Sequence, residues 1–136
     1  MENTVTTIGE FFGTLQQSVV KSWRSHLKTD KYSRHMALDE FYKDMPELVD
    51  TLIENYMGIN GKVEDYKNVL PDDMGTIEYL EALKDIVRKG REELLDGKSE
   101  LESDCDAILS QIDSTLYKLK ELKESTIIDY LKNILG

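Results

Sequence analysis

The sequence predicts an all-α protein, a four-helix bundle, and three observations carry that expectation. Only two prolines occur in 136 residues, while Leu, Glu, Lys, Asp and Ile are abundant, a composition that favours helices. Apolar residues recur at helical spacing in four separate stretches. Runs of β-branched residues are too short to build a sheet. A chain of this length supports one sizeable core, so residues 1–136 are read as a single domain.

The first helix is expected over 8–28. Thr7 followed three residues later by Glu10 is a capping-box signature, and Ile8, Phe11, Phe12, Leu15, Val19 and Trp23 continue at helical spacing. His26 extends the Phe12, Leu15, Val19, Trp23 stripe and is expected to face inward. A turn near Thr29–Tyr32 leads to a second helix that opens at Ser33 as N-cap and runs to Met57, with Gly58 as its terminator and Pro46 as a kink. Its bundle stripe is Leu38, Phe41, Met45, Leu48 and Leu52.

Residues 59–75 contain Asn60-Gly61, Pro71, Asp72-Asp73 and Gly75 and keep no period, apart from a short helix expected around 63–69. A connection this long can travel the length of a bundle, so the second and third helices need not be antiparallel neighbours. The third helix opens at Thr76 and carries Ile77, Leu80, Leu83, Val87 and Leu94, with Gly90 costing about 1 kcal/mol against alanine. Gly97 stops it. Ser99 and Glu102 form a second capping box for the fourth helix, whose stripe is Leu101, Cys105, Ile108, Ile112, Leu116 and Leu119. From Thr126 a short amphipathic extension carries Ile127, Ile128, Leu131, Ile134 and Leu135.

A net charge of −10 and a pI near 4.7 disfavour DNA binding, which needs clustered Lys and Arg to displace counterions. The single cysteine, Cys105, excludes an intrachain disulfide and reads as a buried small hydrophobe. No stretch approaches the ~20 apolar residues of a membrane span, and the N-terminus lacks the pattern of a signal peptide. A soluble, cytoplasmic protein is expected.

Chemistry concentrates between His26 and Glu54. The only two histidines, His26 and His35, flank the turn at similar distances, which places them at one height on neighbouring helices. His35 with Asp39 and Asp50 with Glu54 are i,i+4 pairs. Taking His35 as zero, Asp39, Asp50 and Glu54 fall at roughly 40°, 60° and 100°, away from the bundle stripe centred near 270°. Met36, Pro46, Ile53 and Met57 share that second arc, so the helix is apolar on two sides, and a subunit interface is expected there.

Imidazole nitrogen with carboxylate oxygen suits iron, with manganese or zinc as alternatives. His35 and Asp50 are fifteen positions apart, about 22 Å along one helix, and cannot ligate one ion within one chain. Two copies of the second helix packed antiparallel across a two-fold axis would bring His26, His35 and Asp39 of one chain to Asp50 and Glu54 of the other.

This pattern resembles the ferroxidase segment of the Dps-type mini-ferritins in the ferritin-like superfamily: a His ending the first helix, a His and an Asp four apart on the second, an Asp eleven later and a Glu four after that. It is more similar still to ferritin-like proteins encoded by tailed phages, which would place the protein in the bacterial host cytoplasm. The sequence departs from Dps proteins in the closer spacing of its histidines and in lacking a lysine-rich N-terminal arm. It also lacks the Glu-x-x-His of ferritin-type sites. The resemblance implies a ferritin-like four-helix bundle with a long crossover between the second and third helices. It further implies a homo-oligomer, from a two-fold dimer up to a closed cage, with iron at intersubunit sites as a di-iron or mono-iron centre.

In that reading His26, His35, Asp50 and Glu54 are the catalytic ligands, Glu54 bridges two irons, and Asp39 holds a weaker iron or orients His35. The implied chemistry is oxidation of Fe(II) to Fe(III) by peroxide or oxygen, in iron storage or oxidative-stress protection. The alternative is a non-enzymatic acidic helical-bundle interaction protein on the same scaffold.

Overall fold

The computed structural model describes residues 5–122 together with 131, 132, 134 and 135. Four helices make up the fold: α1 (Ile8–Lys28), α2 (Tyr32–Asn60), α3 (Thr76–Glu93) and α4 (Ser99–Glu121), with no β-strand among the described residues. The expected extension from Thr126 lies largely outside them. Of its apolar residues, Leu131, Ile134 and Leu135 are exposed.

α1 starts as its sequence dictates. Glu10 N–H donates to Thr7 Oγ1 at 3.1 Å and Thr7 N–H donates back to Glu10 Oε1 at 3.1 Å, satisfying two orphan donors reciprocally. Hydrogen bonds from Thr6 and Thr7 hold the Glu10 carboxyl below its usual range. The inward face of α1 differs from the hydropathy stripe. Ser18 and Ser22 are buried while Trp23 is 50 % exposed. Both serines donate to carbonyls of the preceding turn, Ser18 to Leu15 at 2.6 Å and Ser22 to Ser18 at 2.7 Å, so neither carries an unpaired hydroxyl into the core.

Several expected boundaries move. α2 begins at Tyr32, inside the expected Ser33 cap, with Lys31 at the N-cap and no side-chain cap bond. It continues through Pro46 and Gly58 and ends at Gly61, whose φ of 91° supplies the left-handed turn. Gly58 is a helical residue and terminates nothing. Gly75, and not Thr76, caps α3; the Thr76 hydroxyl instead donates to Ser25 Oγ at 3.0 Å. Ser99 is the first residue of α4, which starts without a side-chain cap. α3 ends at Glu93 with Leu94 as its C-cap, ahead of the expected stop at Gly97, whose φ of 85° belongs to the turn that follows.

The link 61–75 contains no helix at 63–69 and runs extended along α1. Its backbone groups find partners there: Lys67 N–H donates to the Gly9 carbonyl at 3.1 Å and Val69 N–H to Thr14 Oγ1 at 3.1 Å. Further along, Lys21 Nζ donates to the carbonyls of Asp72 and Met74. Glycine makes this approach practicable. A Cβ at Gly9 would lie 1.8 Å from the Asp65 carbonyl oxygen, and one at Gly13 would lie 2.4 Å from Lys67 backbone atoms.

The link thus carries the chain from the start of α1 back to its end. α3 then descends beside α1, parallel to α2, and α4 returns. α1 packs on α2 and α3, as does α4, so α2 and α3 are diagonal. The core between them holds Phe11, Phe12, Leu15, Phe41, Met45, Leu52, Leu83, Val87, Cys105, Ile108 and Ile112, all fully buried. Burial pushes the Cys105 thiol up to about 12, as befits an inert packing residue. Gly90 also has a reason to be glycine, since a Cβ there would sit 2.8 Å from the Phe11 ring.

Helical glycines therefore separate by environment. Gly13→Ala forces backbone against backbone and should destabilise the fold by about 1–3 kcal/mol. Gly58→Ala, with nothing within 4 Å, should stabilise it by about 0.5–1 kcal/mol. Urea unfolding of the two variants checks the opposite signs.

Candidate metal centre

The short link Thr29–Lys31 brings the last turn of α1 against the first turns of α2. Helix geometry leaves the final carbonyls of α1 without intrahelical donors. His35 answers one of them, its Nδ1 lying 2.9 Å from the His26 carbonyl oxygen. His26 does the same in reverse, with Nδ1 2.9 Å from the His35 carbonyl oxygen. A carbonyl only accepts, so both rings must carry hydrogen on Nδ1, and each neutral imidazole keeps its lone pair on Nε2. The rings stack with centroids 3.8 Å apart.

His26 is 6 % exposed, and its Nε2 lies 3.8 Å from Asp39 Oδ1. Asp39 is one turn beyond His35 on α2 and is partly exposed. Lys43, a further turn along, places Nζ 2.9 Å from Asp39 Oδ1 and 3.0 Å from Oδ2. The hydrogen bond and charge of Lys43 hold the Asp39 carboxyl below the usual carboxylate range. Tyr42 completes the wall: its ring lies 5.1 Å from that of His26 and stacks nearly parallel on Trp23 at 5.7 Å.

Three of the five residues singled out in the sequence thus meet at one end of the α1–α2 pair, with His26 against both His35 and Asp39. Asp50 and Glu54 do not join them. Both are exposed farther down α2, and among the described residues no three His, Cys, Asp or Glu side chains gather into a metal-holding group. The second arc of α2 is also less apolar than expected. Ile53 is 6 % exposed and Met57 packs against the chain's own core, which leaves Met36 and Pro46 outside. Two neighbours escaped the sequence reading. Lys43 was findable as the i+4 partner of Asp39; Tyr42 was not, because its contact with Trp23 exists only once α1 and α2 pack.

A family described as one of unknown function, DUF5856, matches residues 26–119. The chain belongs to the DUF5856 family. The DUF5856 match begins at His26 and takes in the α1–α2 turn, all of α2 and α3, and nearly all of α4. Over 63 residues the chain is also 32 % identical to an uncharacterized 14.6 kDa protein in the mobD-ri intergenic region of Enterobacteria phage T4. That match covers 46 % of this chain and 48 % of the phage protein, so it spans about half the length of the relative. No solved structure matches the chain. Among the described residues no helix is long and apolar enough to cross a membrane.

The reciprocal bonds make a tautomer prediction. Long-range ¹H–¹⁵N spectra of the neutral imidazoles should place the proton on Nδ1 in both His26 and His35. His35→Ala leaves the His26 carbonyl short of a donor and should cost about 1–3 kcal/mol in thermal or urea unfolding.

Proposed function

We propose that this DUF5856 chain is a ferritin-like, Dps-type metal-binding protein that oxidises Fe(II) at sites completed by a second copy of itself. One observation carries the reading: His26 Nε2, with its ring held through Nδ1, lies 3.8 Å from Asp39 Oδ1. Two ligand atoms each about 2.1 Å from one tetrahedrally held ion sit roughly 3.4 Å apart, so a small side-chain adjustment brings this pair onto a shared cation. A backbone carbonyl on the opposite ring nitrogen is the usual support for a metal-bound histidine. The helix order also supports the ferritin-like part of the proposal, since such bundles use a single long crossover.

Asp50 stands about 22 Å and Glu54 about 28 Å along α2 from His35, and both are exposed. In a two-fold pair they would face His26, His35 and Asp39 of the other copy. Iron is the substrate in this scheme. Each Fe(II) would give one electron to peroxide or oxygen, with Glu54, Asp50 and the histidines as the residues that would hold the ions. Manganese or zinc fits the same donors.

A second reading draws on a different observation. Trp23, Leu27 and Met36 are 50 %, 68 % and 46 % exposed around the histidine end, an apolar rim that suits a non-enzymatic interaction protein on the same scaffold.

Aerobic addition of Fe(II) separates the two. The proposal expects Fe(III) absorbance to grow faster than in buffer and to fall to the buffer rate in Glu54→Ala and His26→Ala. Light scattering at micromolar concentration should show at least a dimer. A monomer removes the shared site, and oxidation no faster than buffer leaves the interaction reading.

A further inference from the structure

The carboxylate proposed to meet the metal already holds a cation from its own helix. Lys43 Nζ engages both oxygens of Asp39, at 2.9 and 3.0 Å. One of these, Oδ1, is also the atom 3.8 Å from His26 Nε2. A metal ion bound by His26 and Asp39 and the Lys43 ammonium therefore draw on the same oxygen lone pairs. The two cations also repel each other at such short range.

Lys43 is well placed to yield. Its side chain is 60 % exposed, so leaving Asp39 returns the ammonium to water. While seated on Asp39 its Nζ also lies 5.8 Å from the Tyr42 ring centroid, so an aromatic face is close at hand when the ammonium lets the carboxylate go. An exposed i,i+4 ion pair is weak enough to open at little cost.

We infer that Lys43 is an internal counter-cation of the half-site, seated on Asp39 when no metal is bound and displaced when one arrives. The inference rests on the reading of His26 and Asp39 as ligands and adds a residue that tunes their affinity. Lys43 keeps the carboxylate neutralised while the second copy is absent. It also sets a threshold that a cation must exceed, favouring a divalent ion over a monovalent one.

Zinc(II) is a suitable probe because it is redox-silent and accepts nitrogen and oxygen ligands. Calorimetric titration of the full chain should give about two- to fivefold tighter binding for Lys43→Gln than for wild type, the range expected for removing one exposed ion pair. Lys43→Arg keeps the charge and should show no such gain. Acetylation of Lys43, followed by mass spectrometry, should rise in the wild-type chain when zinc is added and be already high in Asp39→Asn. Circular dichroism confirms that the variants fold, as the exposure of Lys43 leads one to expect. Equal zinc affinity in wild type and Lys43→Gln, with binding lost in His26→Ala, overturns the role of Lys43 and leaves the metal site standing. Absence of zinc binding in every variant overturns both.

Discussion

The close approach of residues 61–75 to α1 is the constraint on which the arrangement depends. Gly9 and Gly13 lie one turn apart and remove the side chains that would hold an extended strand of chain off the helix. Backbone donors of the link are then satisfied on α1 itself, by the Gly9 carbonyl and the Thr14 hydroxyl, which an unpaired buried backbone would require in any case. Because the link climbs along α1, α3 must start beside the end of α1 and descend parallel to α2. The same course runs on past Lys21 to Ser25 and leaves Trp23 and Leu27, on another face of the last turns, uncovered.

At that uncovered end, chain connectivity and chemistry share the same atoms. The tight α1–α2 link leaves the His26 carbonyl, in the last turn of α1, in need of a donor that His35 supplies, and His26 donates in return to the His35 carbonyl. This use as clasps commits Nδ1 of each ring and leaves Nε2 available and oriented, which supports the proposed ligand role. Asp39 stands on the next turn, where the α-helical repeat returns a side chain to the same face. Its pairing with Lys43 keeps a carboxylate ionised beside a half-buried histidine pair without stranding an uncompensated charge.

Much of this was legible in the sequence wherever a local rule had no competitor. Thr7 and Glu10 predicted the start of α1 because both partners of the box lie within one turn. The two histidines were placed at one height by counting from the turn. The misread boundaries share a cause, which is that two signals lay close together and the nearer or stronger one was not the one used. Gly58 lost to Gly61, and Ser33 and Ser99 became helical residues because the preceding lysines take the cap position with extended backbone. Ser22 displaced Trp23 from the core because a serine can satisfy its hydroxyl on its own helix, which hydropathy does not weigh. The seating of the link on Gly9 and Gly13 was not legible, since a small-residue pair does not say what lies against it.

By itself, then, the sequence determined the helical class, the first helix and its cap, the face shared by His35 and Asp39, and the separation that keeps Asp50 and Glu54 from the histidines in one chain. These follow from periodicity and rise along a single helix. Only the tertiary structure decided which helices are neighbours, that each histidine bonds the other's carbonyl, that Tyr42 backs Trp23, and that Ile53 belongs to the core and not to an outer face. Those depend on contacts between residues far apart in the chain, where packing volume and the need to pair every buried polar group override the local pattern.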